Sequence, residues 1–209
     1  MTPEAVLDAG LRTLAITPDP ESRQRLLAFA SMVERWNRTF NLTAIRDPRR
    51  IMTHHFLDSL AVLRHLPPGP LADVGAGAGF PGVPIAIMEP QRAVTLVDSN
   101  SKKTAFLRQA SIELPLSNAS VHEGRVEDWR PRDRFAVVIS RAFADLSTFV
   151  SGTRHLLGDS GEWFAMKGAY PEAEIATLPA DIQVRECVRL EVPELDAERH
   201  LICLRRRSS

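Results

Sequence analysis

Four glycines fall between residues 75 and 82, within the stretch LADVGAGAGFPGVPIAI (71–87), where an apolar run gives way to a helix-like pattern. Glycines at such a junction let the backbone turn tightly and approach a ligand with no Cβ between them. Two spacings compete for this loop. Gly77-x-Gly79-x-x-Gly82 matches a dinucleotide fingerprint, whereas Gly75-x-Gly77-x-Gly79, preceded by Asp73, matches a loop for the methyl donor S-adenosylmethionine. Asp98 lies 19 residues beyond Gly79 at the end of the next apolar run, where a carboxylate can accept hydrogen bonds from both ribose hydroxyls of a nucleoside. Register favours the methyl donor. The glycines begin directly after the apolar run at Gly75, while in the dinucleotide register Pro81 would fall just before the third glycine.

Other reactive side chains are sparse. His54-His55 is a candidate for proton transfer, but at helical spacing His55 can pair with Asp58 or Ser59 in a purely structural tie. There is no Ser/His/Asp or Cys/His arrangement for nucleophilic catalysis and no ligand cluster that points to a metal. The two cysteines, Cys187 and Cys203, lie in strand-like segments and read as reduced, buried thiols, with a disulfide or metal pair as the alternative.

These residues need elements to hold them. Leu26, Phe29, Ala30, Val33 and Trp36 recur at spacings of three and four and predict an amphipathic helix. Asp47 in the N-cap position and Pro48 at the first helical position predict a second one, carried by Met52, His55, Phe56, Ser59, Leu60 and Leu63. The PPGP cluster at 67–70 marks a boundary between a helical extension, 1–66, and a second unit, 71–209. Beyond it, short apolar runs at 71–74, 93–97, 119–122, 135–139 and 163–166 alternate with helical stretches such as 102–114 and 145–156. That alternation predicts βαβ units and a parallel sheet. The C-terminus instead alternates apolar and polar residues from Ile182 to Val192, turns through PELDAER and resumes at 200–204, which predicts an antiparallel hairpin. The expected fold is therefore α/β: a Rossmann-like, mostly parallel seven-stranded sheet with a terminal antiparallel hairpin and an N-terminal helical extension, as in class I S-adenosylmethionine-dependent methyltransferases.

The chain has 209 residues, with 26 basic and 26 acidic side chains and a net charge of zero, so no global field draws it toward nucleic acid. Local basic clusters do occur at Arg46/Arg49/Arg50, Lys102/Lys103/Arg108, Arg130/Arg132/Arg134 and Arg205 to Arg207, the last expected beyond the final strand on a free tail. No apolar run approaches the ~20 residues that span a bilayer. The N-terminus lacks the basic-then-apolar order of a signal peptide, so a cytoplasmic protein is expected.

Longer blocks carry a resemblance. ERWNRTFNLTAIRD, HHFLDSL, DVGAGAGFPGVPIAI, LVDSNSKKTAFLRQ, GRVED, VVISRAFADL and AMKG, spread over about 34–168, make the chain similar to the RsmG (GidB) family of bacterial 16S rRNA guanine-N7 methyltransferases. The resemblance implies S-adenosylmethionine as donor and 16S rRNA or a small-subunit particle as partner, with guanine 527 of the 530 loop as target. It places the donor among Gly75, Gly77, Gly79 and Phe80 of the loop, Val126 and Glu127 after the third strand and Arg141 after the fourth; Asp98 joins them on the ribose argument. Phe80 has packing beneath the loop as its bland reading, its backbone N–H remaining available to the ligand, and the helix starting near Pro81 offers further N–H groups to an anion.

The substrate side would comprise Arg141, Phe143 and Lys167. Phe143 could stack on an unpaired guanine, or be core. Arg141 could contact the donor's carboxylate or guanine O6, or else pair with Asp145. Lys167 could face a phosphate or simply water. Guanine N7 carries an in-plane lone pair and no proton, so methyl transfer to it needs no general base, and no catalytic residue is expected. Two other classes compete: a nicotinamide-dependent oxidoreductase using the other glycine register, and a catalytically silent RNA-binding factor that keeps the fold.

Overall fold

Asp and Thr caps set where the chain begins its helices. In the computed structural model, which describes residues 1–141 and 143–207, Thr2 caps α1 (Pro3–Thr13) and Asp19 accepts the Glu21 and Ser22 N–H groups to start α2 (Pro20–Phe40). Asn41 ends α2 in the left-handed region at φ 50°. Asp47 caps α3 (Pro48–Ile51), which runs into a π-helical turn, Met52–Leu57, and then α4 (Asp58–Leu60). The predicted second helix thus exists, but its middle is wound wider than its spacing implied.

After a short 3₁₀ turn at Leu63–His65 the sheet begins. β1 (Leu71–Val74), α5 (Gly82–Met88), β2 (Val94–Asp98), α6 (Ser101–Glu113), β3 (Ala119–Glu123) and β4 (Phe135–Arg141) alternate as expected. They are followed by α7 (Leu146–Thr153), β5 (Leu157–Lys167), α8 (Glu172–Ala176), β6 (Ile182–Arg189) and β7 (His200–Arg206). The seven strands lie in the order β3-β2-β1-β4-β5-β7-β6. β1 to β5 pair in parallel, and β7 runs antiparallel to both β5 and β6. The chain therefore has the predicted mostly parallel sheet closed by an antiparallel hairpin. Strand order turns back beside β1, so the β1 and β4 carboxyl ends border a crevice where such sheets bind ligands.

Central strands are buried on both faces and read as continuous apolar runs. Leu71, Val137 and Ile139 join one core with the N-terminal helices, while Ala72, Val74 and Val138 join the other with Phe149 and Trp163. The first core makes no break at the proline cluster: Phe29 of α2 lies 5.3 Å from Phe80 and 6.0 Å from Phe106, ring centre to ring centre.

Three local expectations change. β5 begins at Leu157, well before Trp163, because the register shift opposite Phe135/Val137 lets a polar stretch join the edge of the pairing. β6 carries a bulge between Val184 and Glu186 and stops at Arg189, so its alternation does not continue to Val192. Arg205 to Arg207 do not form a free tail. Arg205 and Arg206 belong to β7, the Arg206 guanidinium donates to the Arg154 and Gly158 carbonyls over the Trp163 ring, and Arg207 donates to Ile182 O. Cys187 and Cys203 are free thiols, with Cys203 buried.

Candidate functional site

The glycine loop folds onto itself. Gly75 and Ala76 both donate to Val97 O, Gly79 and Phe80 both donate to Ala76 O, Gly77 donates to Asp98 Oδ2 at 2.9 Å, and Gly82 donates to Asp73 Oδ2 at 2.7 Å. The Phe80 N–H and the first N–H of α5 are thus already taken, contrary to the expectation that they remain for a ligand. A pyrophosphate needs a fan of free amides. Here those amides point at protein oxygens, so a dinucleotide phosphate would find none of these donors free. The loop's hydrogen bonding favours the other register.

Beside the loop lies a cavity of about 220 Å³, bordered by Gly75, Asp98, Gly124, Val126, Glu127 and Phe143. Gly75 sits at φ +72°, and a Cβ there would come within 3.3 Å of the Phe143 ring, so only glycine leaves the cavity mouth open. Asp98 is nearly buried; Oδ2 holds Gly77 and Oδ1 accepts from Asn100 N at 2.8 Å, which fixes the carboxylate while each oxygen keeps a lone pair. Val126 is buried against this space and Glu127 is exposed at its edge. An apolar wall, a fixed carboxylate and an acidic rim suit a neutral nucleoside, and a Gly75 cradle that a side chain would fill fits S-adenosylmethionine.

The remaining candidates separate. Gly77 anchors the loop, and Gly79, at φ +88°, turns toward the core, where a Cβ would meet Val83, Phe29 and Leu107. Phe80 is packing: it is buried among Phe29, Phe56 and His55, with the Arg141 guanidinium 5.3 Å above its ring. Phe143, expected on the substrate side, covers Gly75 in the cavity beside the glycine loop. Lys167 is held by Glu174 at 2.7 Å and donates to Ala144 O, so it is not a free phosphate contact.

Arg141 pairs with Asp58 at 3.2 Å; Asp145, its expected partner, instead caps α7 through Thr148. Arg141 Nη1 also donates to His54 O and faces His55 Nδ1 at 3.0 Å. His55 Nδ1 also lies 3.1 Å from His54 O, and Nε2 is hydrogen-bonded to Thr43 Oγ1 at 2.8 Å, so both ring nitrogens are engaged. Burial first, and the Arg141 charge second, push the His55 imidazole down to about 3. His55 is therefore neutral across physiological pH. Its tie is to Thr43 and Arg141, while Ser59 donates to its carbonyl and Asp58 turns away.

Sequence reasoning passed over Asp58 as an anchor, Arg199 and Glu174. Asp58 receives Arg199 as well as Arg141, and nothing local in the sequence signals a pair 141 residues apart. Among the described residues, no group of three or more His, Cys, Asp and Glu side chains is placed to hold a metal, and no helix is long and apolar enough to cross a membrane.

Comparison with known proteins gives a consistent picture. The family described as GidB, rRNA small subunit methyltransferase G, matches residues 22–202. The chain is 49% identical over 198 residues to the ribosomal RNA small subunit methyltransferase G of Laribacter hongkongensis, covering 95% of this chain and 96% of the relative. It is 50% identical over 207 residues to the protein of the same name from Aromatoleum aromaticum, covering 97% and 98%. Similar solved structures include a ribosomal protein L11 methylase from Lactobacillus delbrueckii (TM-score 0.55, 13% identity, covering 73% of this chain and 77% of that one). The glycopeptide N-methyltransferase MtfA has a TM-score of 0.58 at 13% identity, covering 73% and 96%. At such identities these two structures speak to the fold alone, a class I methyltransferase sheet.

Proposed function

The chain belongs to the ribosomal RNA small subunit methyltransferase G family, and from that premise we propose that it methylates N7 of a guanine in 16S rRNA, guanine 527 by family resemblance, using S-adenosylmethionine. The rRNA or a small-subunit particle is its partner and the cytoplasm its location. The observation that carries this reading is a pair of cavities at the carboxyl ends of the strands: Phe143 borders the nucleoside-shaped space, and Arg141, two residues earlier, borders a cationic one.

When bound, the donor supplies a methyl group on a positively charged sulfonium. The protein's part is positioning. Asp98 is placed to accept from ribose hydroxyls, Val126 and Phe143 exclude water, and Glu127 stands at the rim for the adenine amino group. Arg141, immobilised by Asp58, His54 O and the Phe80 ring, marks the border that the incoming base reaches. Because N7 needs no deprotonation, the neutral, buried His55 serves as a strut and not a base.

The test is transfer of labelled methyl from S-adenosylmethionine to 16S rRNA and to small subunits, with the product located by borohydride and aniline cleavage, which reports N7-methylguanosine. Label at a single guanine N7 is expected. Label elsewhere in the RNA, or none with either substrate, would refute the reading.

A further inference from the structure

The cationic cavity, about 420 Å³, opens at the carboxyl ends of β4 and β5, and its polar wall is an arginine pair clamped on one buried carboxylate. The Asp58 side chain is 2% exposed; Oδ2 accepts from Arg141 Nη1 at 3.2 Å and Oδ1 from Arg199 Nε at 3.1 Å. Arg199 arrives from the connection between β6 and β7, so the clamp joins the helical extension, the central sheet and the hairpin. Both guanidiniums retain some exposure, 21% and 23% of their side chains. Among the described residues, none accepts from Arg141 Nε or Nη2 or from Arg199 Nη2. Ile45 and Met166 supply apolar surface, and the neighbouring Lys167 is already neutralised by Glu174.

Such a space offers N–H donors and one surplus positive charge, with its only carboxylate already engaged. It suits a flat ring whose edge carries acceptors. Guanine presents O6 and N7 on one edge, whereas adenine presents a donor amino group where guanine has O6. Two donors facing each other across a desolvated gap leave both unpaired, which disfavours adenine strongly. RNA-modifying enzymes draw the target base out of its stack into a pocket, and this one, like the nucleoside cavity, lies at the carboxyl ends of the parallel strands, with Arg141 bordering the one and Phe143 the other.

Building on the function proposed above, we infer that this cavity receives the target guanine, with Arg199 donating to O6 and selecting guanine over adenine. Asp58 is the positioning residue that aims both guanidiniums. N7 stays free of protein donors and turns toward the nucleoside cavity. Arg141, held by Asp58, His54 O and His55 Nδ1, acts as a fixed wall of this cavity.

The test uses 16S rRNA transcripts carrying guanine, adenine or 2-aminopurine at the methylated position; 2-aminopurine keeps N7 but has hydrogen in place of O6. The wild-type enzyme is expected to favour guanine over 2-aminopurine by about tenfold to a hundredfold in kcat/KM, the worth of one good base-edge contact. Arg199→Ala should reduce that ratio to about one through loss on guanine alone, with S-adenosylmethionine affinity by calorimetry unchanged, and Arg199→Lys should restore part of it. Asp58→Asn should also lower the ratio, a readout that simple loosening of the fold would not move. If folded Arg199→Ala keeps the wild-type ratio, the inference falls while the function stands. If the wild-type enzyme labels no guanine N7, both fall together.

Discussion

Asp73→Asn should flatten the dependence of stability on pH. Asp73 is fully buried; Oδ2 holds the Gly82 N–H at 2.7 Å and Oδ1 has no hydrogen-bond partner. Burial pushes its carboxyl up to about 7 from an ordinary value of 3.8, only partly opposed by the Gly82 N–H and the Arg141 charge. The folded protein therefore holds a proton that the unfolded chain releases. Stability is fully present below the unfolded value and is lost as pH rises through the folded one. Between pH 5 and pH 8 a shift of this size implies a loss of roughly 2–3 kcal/mol from this single group. Asparagine cannot ionise, and its amide oxygen can keep the Gly82 bond. Chemical denaturation of both proteins at pH 5 and pH 8 measures the effect directly: the variant should gain about 2–3 kcal/mol on the wild type as pH rises, or roughly 5–10 °C in Tm. A stability gap that is the same at both pH values would show that the carboxyl is not forced neutral, and the account of the loop's foundation would be wrong.

Asp98→Asn should weaken S-adenosylmethionine binding by about 1.5–3 kcal/mol through loss of charge-assisted hydrogen bonds; unchanged affinity by calorimetry in the folded variant would remove its ribose role. Turnover should show no histidine limb between pH 6 and 8.5, since the His55 imidazole is held down to about 3. His55→Ala should cost on the order of 2 kcal/mol of stability by opening a void against Phe80, and a stable, ligand-binding His55→Ala protein with no transfer would overturn the base-free mechanism. RNA affinity should fall as salt rises despite the zero net charge, and Arg49→Ala or Arg50→Ala should each lower the log–log slope by about one; Arg206→Ala should instead destabilise the hairpin, because its guanidinium already holds two carbonyls.

Much of this molecule is written in short-range pattern. Glycines after an apolar run, an acid at the end of the next strand and alternating elements pointed to the cavity beside the loop, because each signal lies within one βαβ unit. The cap at Asp47 was equally local. The cavity around Arg141, Asp58 and Arg199 was not legible in the same way. Asp58 looked like a helical neighbour of His55, yet its partners come from β4 and from the β6–β7 connection, and no periodicity encodes contacts across 83 and 141 residues. Lys167 and Phe143 were correctly seen as lying at strand ends, but which cavity a strand-end side chain enters depends on the loop packed over it. The π turn also escaped, since a single wide turn leaves the apolar spacing nearly unaltered.

The contact of Phe29 with the underside of the glycine loop also sets a clock. Helix α2 is complete once Phe40 is made, but two of the rings that cover Phe29, Phe80 and Phe106, lie well downstream. Phe106 follows Phe40 by about 66 residues, so at 5–20 residues per second the stripe of Leu26, Phe29, Ala30 and Val33 waits roughly 3–13 s for its cover. For that interval the nascent chain exposes a ready-made amphipathic face. The enzyme's own synthesis therefore contains a stage at which chaperone holdases, or a second nascent copy, compete with the donor loop for the same aromatic surface.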